Sequence, residues 1–445
     1  MVSQGRESQE CPTSRAVRSA NGCHDGVEHC TGGPLGRKKD MKVSKPAPSL
    51  VEFIVLTALM ISLVALTTDI MLAALGLIAT DLGHPDPMDG HLVISVLFAG
   101  FAVGQLLVGP LSDSYGRKPV IHISYIVFCI GTLMCLLSAS FEVMLAGRLL
   151  QGVGMSGPRI IAVAIVRDGY AGRKMARIMS FVMAVFILVP AIAPSIGQIL
   201  ISFSGWRATF TLLLIMAGVT WIWFTLRQVE TLPATARRPL SVGNLVSGMK
   251  TILTTPAAIG YTICAGLIFG PFLAYLSLAQ QIFQVTYDTG LSFTLWFAAG
   301  AFSIGVAAIV NSALVERLGM RFLSNIALSG VILGGCAFGA VALATDGLPP
   351  FGLFIAWLVC NFFFMGLLFG NLNALAMEPL GHIAGLGAAV VGALSTAISI
   401  PVGTIISENY TGSPALLTLS FATSATLCLA LGWAISRRQS VSRLH

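Results

Sequence analysis

Charge is scarce in this 445-residue chain: Asp, Glu, Lys and Arg together make up 10% of it. A soluble domain carries about 25%, because its surface must be hydrated. The shortfall excludes an ordinary cytosolic enzyme, a nucleic-acid reader and a disordered scaffold. Catalytic signatures are missing too. The apolar stretches hold no Gly-x-Ser-x-Gly elbow, no His-Glu-x-x-His helix and no Gly-x-x-x-x-Gly-Lys phosphate loop. No catalytic residue, no cofactor and no ATP drive are therefore expected. Nine cysteines are too dispersed for a secreted disulfide framework. Six of them (Cys129, Cys135, Cys264, Cys336, Cys360, Cys428) lie in apolar runs and read as small packing residues.

Apolar residues make up 55% of the chain, and its mean hydropathy is +0.85. The 47 glycines exceed the usual ~7% share, as suits helices that approach closely in lipid. Crossing the hydrocarbon core takes roughly 20 apolar residues. Twelve runs qualify: 50–78, 91–111, 119–140, 143–166, 178–202, 207–226, 256–283, 290–315, 322–344, 349–372, 383–407 and 413–436. They are continuous rather than alternating, which excludes the ~10-residue strands of a β-barrel. The expected fold is an all-α polytopic membrane protein with twelve transmembrane helices.

The basic residues orient those spans. Of 26 Lys and Arg, 23 fall in alternate segments (1–49, 112–118, 167–177, 227–255, 316–321 and 437–445). One, Arg207, falls in a loop of the opposite set, and Arg148 and Arg159 lie inside span 4. Both termini are thus expected in the cytoplasm. The net charge of +7 reflects topology, not a nucleic-acid partner.

Spans 6 and 7 are separated by residues 227–255, far more than any other pair, and that stretch contains Arg237, Arg238 and Pro239. The loops after spans 2 and 8 echo each other: Asp113, Gly116 and Lys118 recur as Glu316, Gly319 and Arg321, at a constant offset of 203. The chain therefore divides into a six-helix half at 50–226, a cytoplasmic connector at 227–255 and a second, pseudo-repeated six-helix half at 256–436. Such an arrangement suits a transporter that rocks around a central site. Residues 437–445 form a short cytoplasmic tail. Residues 1–49 are polar and aperiodic, the composition of a disordered cytoplasmic tail. Within them Cys23, His24, His29 and Cys30 are ligand types that zinc uses, but their spacing fits no finger, and no metal site is expected. Met41 would itself serve as a start, since Met41 to Ser49 is a short basic lead into span 1.

Three stretches carry mechanism. In Gly109-Pro110-Leu111-Ser112-Asp113-Ser114-Tyr115-Gly116-Arg117-Lys118, Gly116 permits a tight turn and Asp113 supplies an anion at a helix end. Arg117 and Lys118 are placed to hold the loop at the lipid headgroups. An anion here that pairs with a cation or helix N-terminus of the opposite half in one conformation only is a latch; the plainer role is a topogenic basic turn. In span 5, Pro190 and Pro194 each remove a backbone hydrogen bond and bend the helix, and Gly197 allows close contact. The bend either seals one side of a cavity or is static. The third stretch is span 1, where Asp69 is the only acid apart from Glu52 near the cytoplasmic end. It lies about 9 residues, roughly 13 Å, below the outer boundary, and Arg148 enters span 4 roughly 8 Å deep. An intramembrane Asp is a functional candidate by default. Burial favours its protonated form and a nearby guanidinium its ionised form, so a conformational change that alters either makes a proton carrier. A fixed Asp69–Arg148 salt bridge joining spans 1 and 4 is the structural alternative. Arg159, about 20° from Arg148 around the helix, would share the cavity face and guide an anionic substrate. Phe269, Phe272, Tyr275 and Trp296 are aromatics that either line a substrate cavity or simply pack.

The loop after span 2 resembles the loop 2–3 signature of the major facilitator superfamily, with Ser114 where many relatives carry Arg. Arg148-Leu149-Leu150-Gln151-Gly152-Val153-Gly154 resembles the helix 4 motif of drug/proton antiporters, and Val189 to Gln198 looks like the helix 5 antiporter motif in a Pro-x-x-x-Pro variant. Asn373 to Gly381 with Ile383-Ala384-Gly385 resembles the loop 10–11 signature of the Bcr/CflA (bicyclomycin/chloramphenicol resistance) subfamily. The resemblance covers nearly the whole membrane domain but not the tail. It implies a bacterial inner-membrane exporter that exchanges protons for drugs, acts as a monomer, and uses Asp69 and Arg148 as its coupling pair. Gln151, Arg159, Phe272 and Tyr275 are the candidates for the substrate cavity. Export of an endogenous metabolite by the same machinery is the alternative. A non-transporting sensor would need an output domain larger than the tail or the connector.

Overall fold

The structure, a computed structural model, describes residues 49–442 except 171, 238, 239 and 241. The expectations for the tail, including the Cys23–Cys30 stretch, fall outside the described residues. Twelve long helices run in the order α1 (Leu50–Asp69), α2 (Leu92–Tyr115), α3 (Arg117–Leu136), α4 (Phe141–Gly169), α5 (Gly172–Ser204), α6 (Arg207–Arg227), α7 (Pro256–Gln280), α8 (Phe293–Leu318), α9 (Met320–Ala344), α10 (Phe351–Met377), α11 (Ala384–Glu408) and α12 (Ala415–Ser442). Among the described residues, eleven helical segments are long and apolar enough to cross a membrane. The twelfth, α5, is 33 residues long, with Leu188–Ser204 as its apolar described part.

Apart from the first, each apolar run became one long helix, because lipid leaves a backbone no partner for its N–H and C=O groups except itself. Several helices outrun their apolar runs: α2 reaches Tyr115, α4 Gly169 and α10 Met377. Polar residues at a span's end leave the hydrocarbon but keep the helical hydrogen bonds, so hydropathy alone underestimates the length. Span 1 is the exception in kind. α1 stops at Asp69, a single 3-10 turn follows at Leu72–Ala74, and a new helix runs Leu75–Asp81. A connector helix, Val242–Thr254, lies between α6 and α7.

Local chemistry sets the ends. Ser49 caps α1, its hydroxyl accepting from the Glu52 amide at 3.2 Å. Gly116 (φ +103°, ψ 161°) and Gly319 (φ +80°, ψ 151°) each turn the chain into the next helix from a left-handed conformation that side chains rarely adopt. α2 packs on α4 and α11, α3 on α4 and α6, and α5 on α1 and α8. α7 packs on α10, α11 and α12, and α9 on α10 and α12. Helices in lipid gain by close packing rather than by leaving water, so backbone contacts matter. Gly152 of α4 lies so near the Leu97 carbonyl of α2 that a Cβ would collide with it.

Candidate functional site

The break in α1 positions the centre of the site. Asp69 is the last helical residue and is 4% exposed. Past it, Ile70 still donates to Leu66 O at 3.1 Å, but Met71 (φ −100°, ψ 3°) leaves the helix. The closing carbonyls of α1 therefore lose the next turn's donors. Arg148 of α4, completely buried, supplies replacements. Its Nη1 and Nη2 each donate to Thr67 O at 3.4 Å, Nε donates to Val93 O of α2 at 3.0 Å, and Nη1 donates to Gln151 Oε1 at 2.5 Å. Gln151 Nε2 passes the chain to Thr132 Oγ1 of α3 at 2.9 Å. A guanidinium fork at a helix C-terminus also meets its partial negative charge.

The expected Asp69–Arg148 pair is not formed: Arg148 spends its donors on carbonyls and Gln151. Among the described residues Asp69 makes no ion pair within 4 Å. Gln151, expected in the substrate cavity, is wholly buried as the bridge between Arg148 and Thr132. Arg159 is partly buried on α4. The helix 5 motif reaches the break. α5 holds Pro190 and Pro194 within its length, and Gly197 packs on the Ile70 carbonyl, where a Cβ would collide.

Across from the break lies an aromatic cluster. Tyr275 of α7 stands 4.7 Å from Phe362 of α10 and 5.7 Å from Phe297 of α8, centroid to centroid. Phe272 stands 5.4 Å from Phe369 and 5.6 Å from Phe269, and Phe269 meets Phe98 of α2 at 5.6 Å. The buried Tyr275 hydroxyl has no hydrogen-bond partner among the described residues. Trp296 is elsewhere, against Phe351 at 5.2 Å.

The loop 2–3 residues form a second, tighter cluster. Arg117 is buried; its Nη1 donates to Asp113 Oδ1 at 2.6 Å and to Ser112 Oγ at 2.8 Å, and its Nε to Asp168 Oδ2 at 2.9 Å. Lys118 Nζ donates to Thr225 O at 3.1 Å and Gln228 O at 2.9 Å, the closing carbonyls of α6. Where the sequence reading has Arg117 and Lys118 holding the loop at the lipid headgroups, both side chains bond carboxylates, a hydroxyl and carbonyls of the protein. Asp113 faces the start of α11, its Oδ2 being 3.6 Å from where a Gly385 Cβ would stand. The α2–α11 seam continues with Gly109 against Ala389, a Gly109 Cβ being 3.3 Å from the Ala389 Cβ. Gln105 Nε2 then donates to Thr396 Oγ1 at 3.3 Å, and Thr404 Oγ1 to Ser95 Oγ at 3.4 Å.

Sequence reasoning passed over two acids of this end. Glu52 grips Arg227 of α6 in a two-pronged pair at 2.5 and 2.8 Å, and Glu230 sits on the start of α3. Both lie just inside or beside a span's cytoplasmic margin as read from the sequence, where charge is expected and draws no notice.

These features define a polytopic helical protein with a buried acid at a broken helix and a charged, glycine-turned loop abutting a neighbouring helix: a membrane transporter. Residues 53–404 match the Major Facilitator Superfamily, and the chain belongs to that family. It is 28% identical over 344 residues to the uncharacterized MFS-type transporter YdgK of Bacillus subtilis, covering 76% of this chain and 85% of that protein. It is 26% identical to a bicyclomycin resistance protein homolog of Haemophilus influenzae, covering 77% and 86%. Identity to the multidrug resistance protein MdtL of Salmonella heidelberg is 27%, covering 73% and 80%.

Proposed function

We propose that this transporter is a proton-coupled exporter of small lipophilic drugs, of the Bcr/CflA type, in the bacterial cytoplasmic membrane. The carrying observation is Asp69: a carboxyl buried at the helix break without an ion-pair partner among the described residues. A bare carboxylate in that setting is costly, so the group must take up a proton, water or a cationic partner as the site opens and closes. Arg148 holds the break in place, so Asp69 is presented rather than neutralised. The bicyclomycin-resistance and multidrug-resistance names of relatives support drugs as the cargo.

In this reading residues 50–226 and 256–436 are the two rocking halves, 227–255 joins them, and both termini are cytoplasmic, in line with the distribution of Lys and Arg. The halves meet along α2–α11 and α5–α8. Asp113 at the start of α11 latches the cytoplasmic end in one state. Phe272 and Tyr275 with Phe269 from one half and Phe98 from the other offer an apolar substrate face, and Arg159 borders the same cavity. Proton entry at Asp69 and drug release then alternate.

The test is a drug-susceptibility panel in an efflux-deficient bacterial host, followed by pH-gradient-driven uptake of any active compound into inverted vesicles. Reduced susceptibility with uptake abolished by a protonophore is the expected result. Unchanged susceptibility to every drug, at verified membrane levels, would overturn drug export and leave an endogenous metabolite as cargo.

A further inference from the structure

The chain leaves α6 at Arg227, and Glu230 turns back onto the start of α3. Glu230 Oε1 accepts from the Arg117 amide at 2.9 Å and the Leu232 amide at 3.0 Å, and Oε2 accepts from the Lys118 amide at 3.0 Å. The Arg117 and Lys118 amides open α3 and have no helical acceptor. A carboxylate there satisfies donors and meets the positive end of the helix. The favour is returned, because Lys118 Nζ closes the last carbonyls of α6. α3 and α6 thus cap one another through Glu230 and Lys118. A side chain at position 116 would stand in the way, since a Cβ there lies 2.6 Å from Glu230 Oε2. The turn therefore needs glycine for space as well as for its φ.

The same short stretch is tied to the ion pairs of the latch. Thr231 Oγ1 donates at 3.1 Å to Asp168 Oδ2, the oxygen that also receives Arg117 Nε. Further on, the connector helix Val242–Thr254 packs on α11, with Gly248 against the Leu386 side chain, next to Gly385. The connector thus grips α3 at one end and the start of α11 at the other, and the Asp113–Gly385 contact lies between the two grips.

We infer that Glu230 is a positioning residue of the latch: it clamps the connector onto the N-terminus of α3, so that the connector spans the Asp113–α11 contact and sets its closed population. The inference rests on the latch reading given above for Asp113. The test uses the full chain with its nine cysteines replaced and spin labels at Tyr115 and Gly381. Both positions are exposed, and a Gly381 side chain would meet nothing within 4 Å. Inter-label distances are compared for wild type, Asp113→Asn, Glu230→Ala, Glu230→Gln and the Asp113→Asn/Glu230→Ala double variant. Glu230→Ala should raise the separated population about threefold or more, Glu230→Gln less, and the double variant no further than Asp113→Asn, as expected for residues acting through one contact. Should Glu230→Ala fail to reach the membrane, Glu230→Gln, which keeps an acceptor oxygen, gives the reading. A shift with Asp113→Asn and none with either Glu230 variant overturns the inference and spares the latch. Additive shifts in the double variant overturn it too, and silence of Asp113→Asn overturns the latch itself.

Discussion

Two clusters of this protein contain an arginine and an aspartate, and only one of them pairs the two. At the end of the bundle Arg117 bonds both Asp113 and Asp168, at 2.6 and 2.9 Å, and the Asp113 side chain keeps 38% of its surface exposed. In the interior Arg148 bonds the neutral carbonyls of Thr67 and Val93, and Asp69, two residues beyond Thr67, goes without an ion pair among the described residues. Where solvent reaches, an ion pair costs little to assemble and serves as an adjustable contact. In the buried interior a cation held by carbonyls supports a helix break, and the nearby helix-end carboxyl is left without an ion pair among the described residues. Geometry, rather than residue identity, separates a paired aspartate from an unpaired one.

The contrast is sharpest at Arg148. Arg148→Ala strips the Thr67 carbonyl at the break and Gln151 Oε1 of their donors, and should lower stability by about 2–4 kcal/mol. Arg148→Lys, which keeps the charge but loses the fork, should recover only part of that. Thermal unfolding of the purified protein in detergent checks both. If Arg148→Ala is as stable as wild type, the guanidinium is not the support of the break. Next in size is Gly197→Val, which forces a side chain into the Ile70 carbonyl. It should cost about 1–3 kcal/mol and depress export more than it depresses membrane level. Normal export by that variant would detach the helix 5 motif from the break. Smallest is Asp113→Asn, where an exposed contact worth about 1 kcal/mol shifts the balance of states roughly fivefold while stability stays within experimental error. A large fall in unfolding temperature would turn the latch into a structural pair like that of Glu52 and Arg227.

Much of this was legible beforehand. The twelve helices follow the apolar runs because lipid admits few other solutions for a backbone, and Asp69 stood out because an acid within such a run is rare. The Gly116 turn was legible because its φ requires glycine. The partners of Arg148 were not. They depend on α1 ending at Asp69, and the residues there, Ile70-Met71-Leu72-Ala73-Ala74, include neither Pro nor Gly to announce a break. Read as a continuous helix, span 1 offers Arg148 no free carbonyl, and Asp69 becomes the natural partner. The hydrogen bonds of Gln151 were hidden for the same reason, since they follow from where Arg148 points. Glu230 escaped because an acid just past a span is ordinary; only the approach of α6 to α3 gives it two helical amides to hold.

The central claim is that Asp69 carries the proton while Arg148 carries the structure. It is tested most directly by Asp69→Asn in inverted vesicles, with pH-gradient-driven uptake measured beside downhill substrate exchange at zero gradient. The substitution keeps size and hydrogen bonding but cannot carry a proton. The account predicts normal membrane levels, retained downhill exchange and no response to the pH gradient. Full gradient-driven uptake by Asp69→Asn would contradict it.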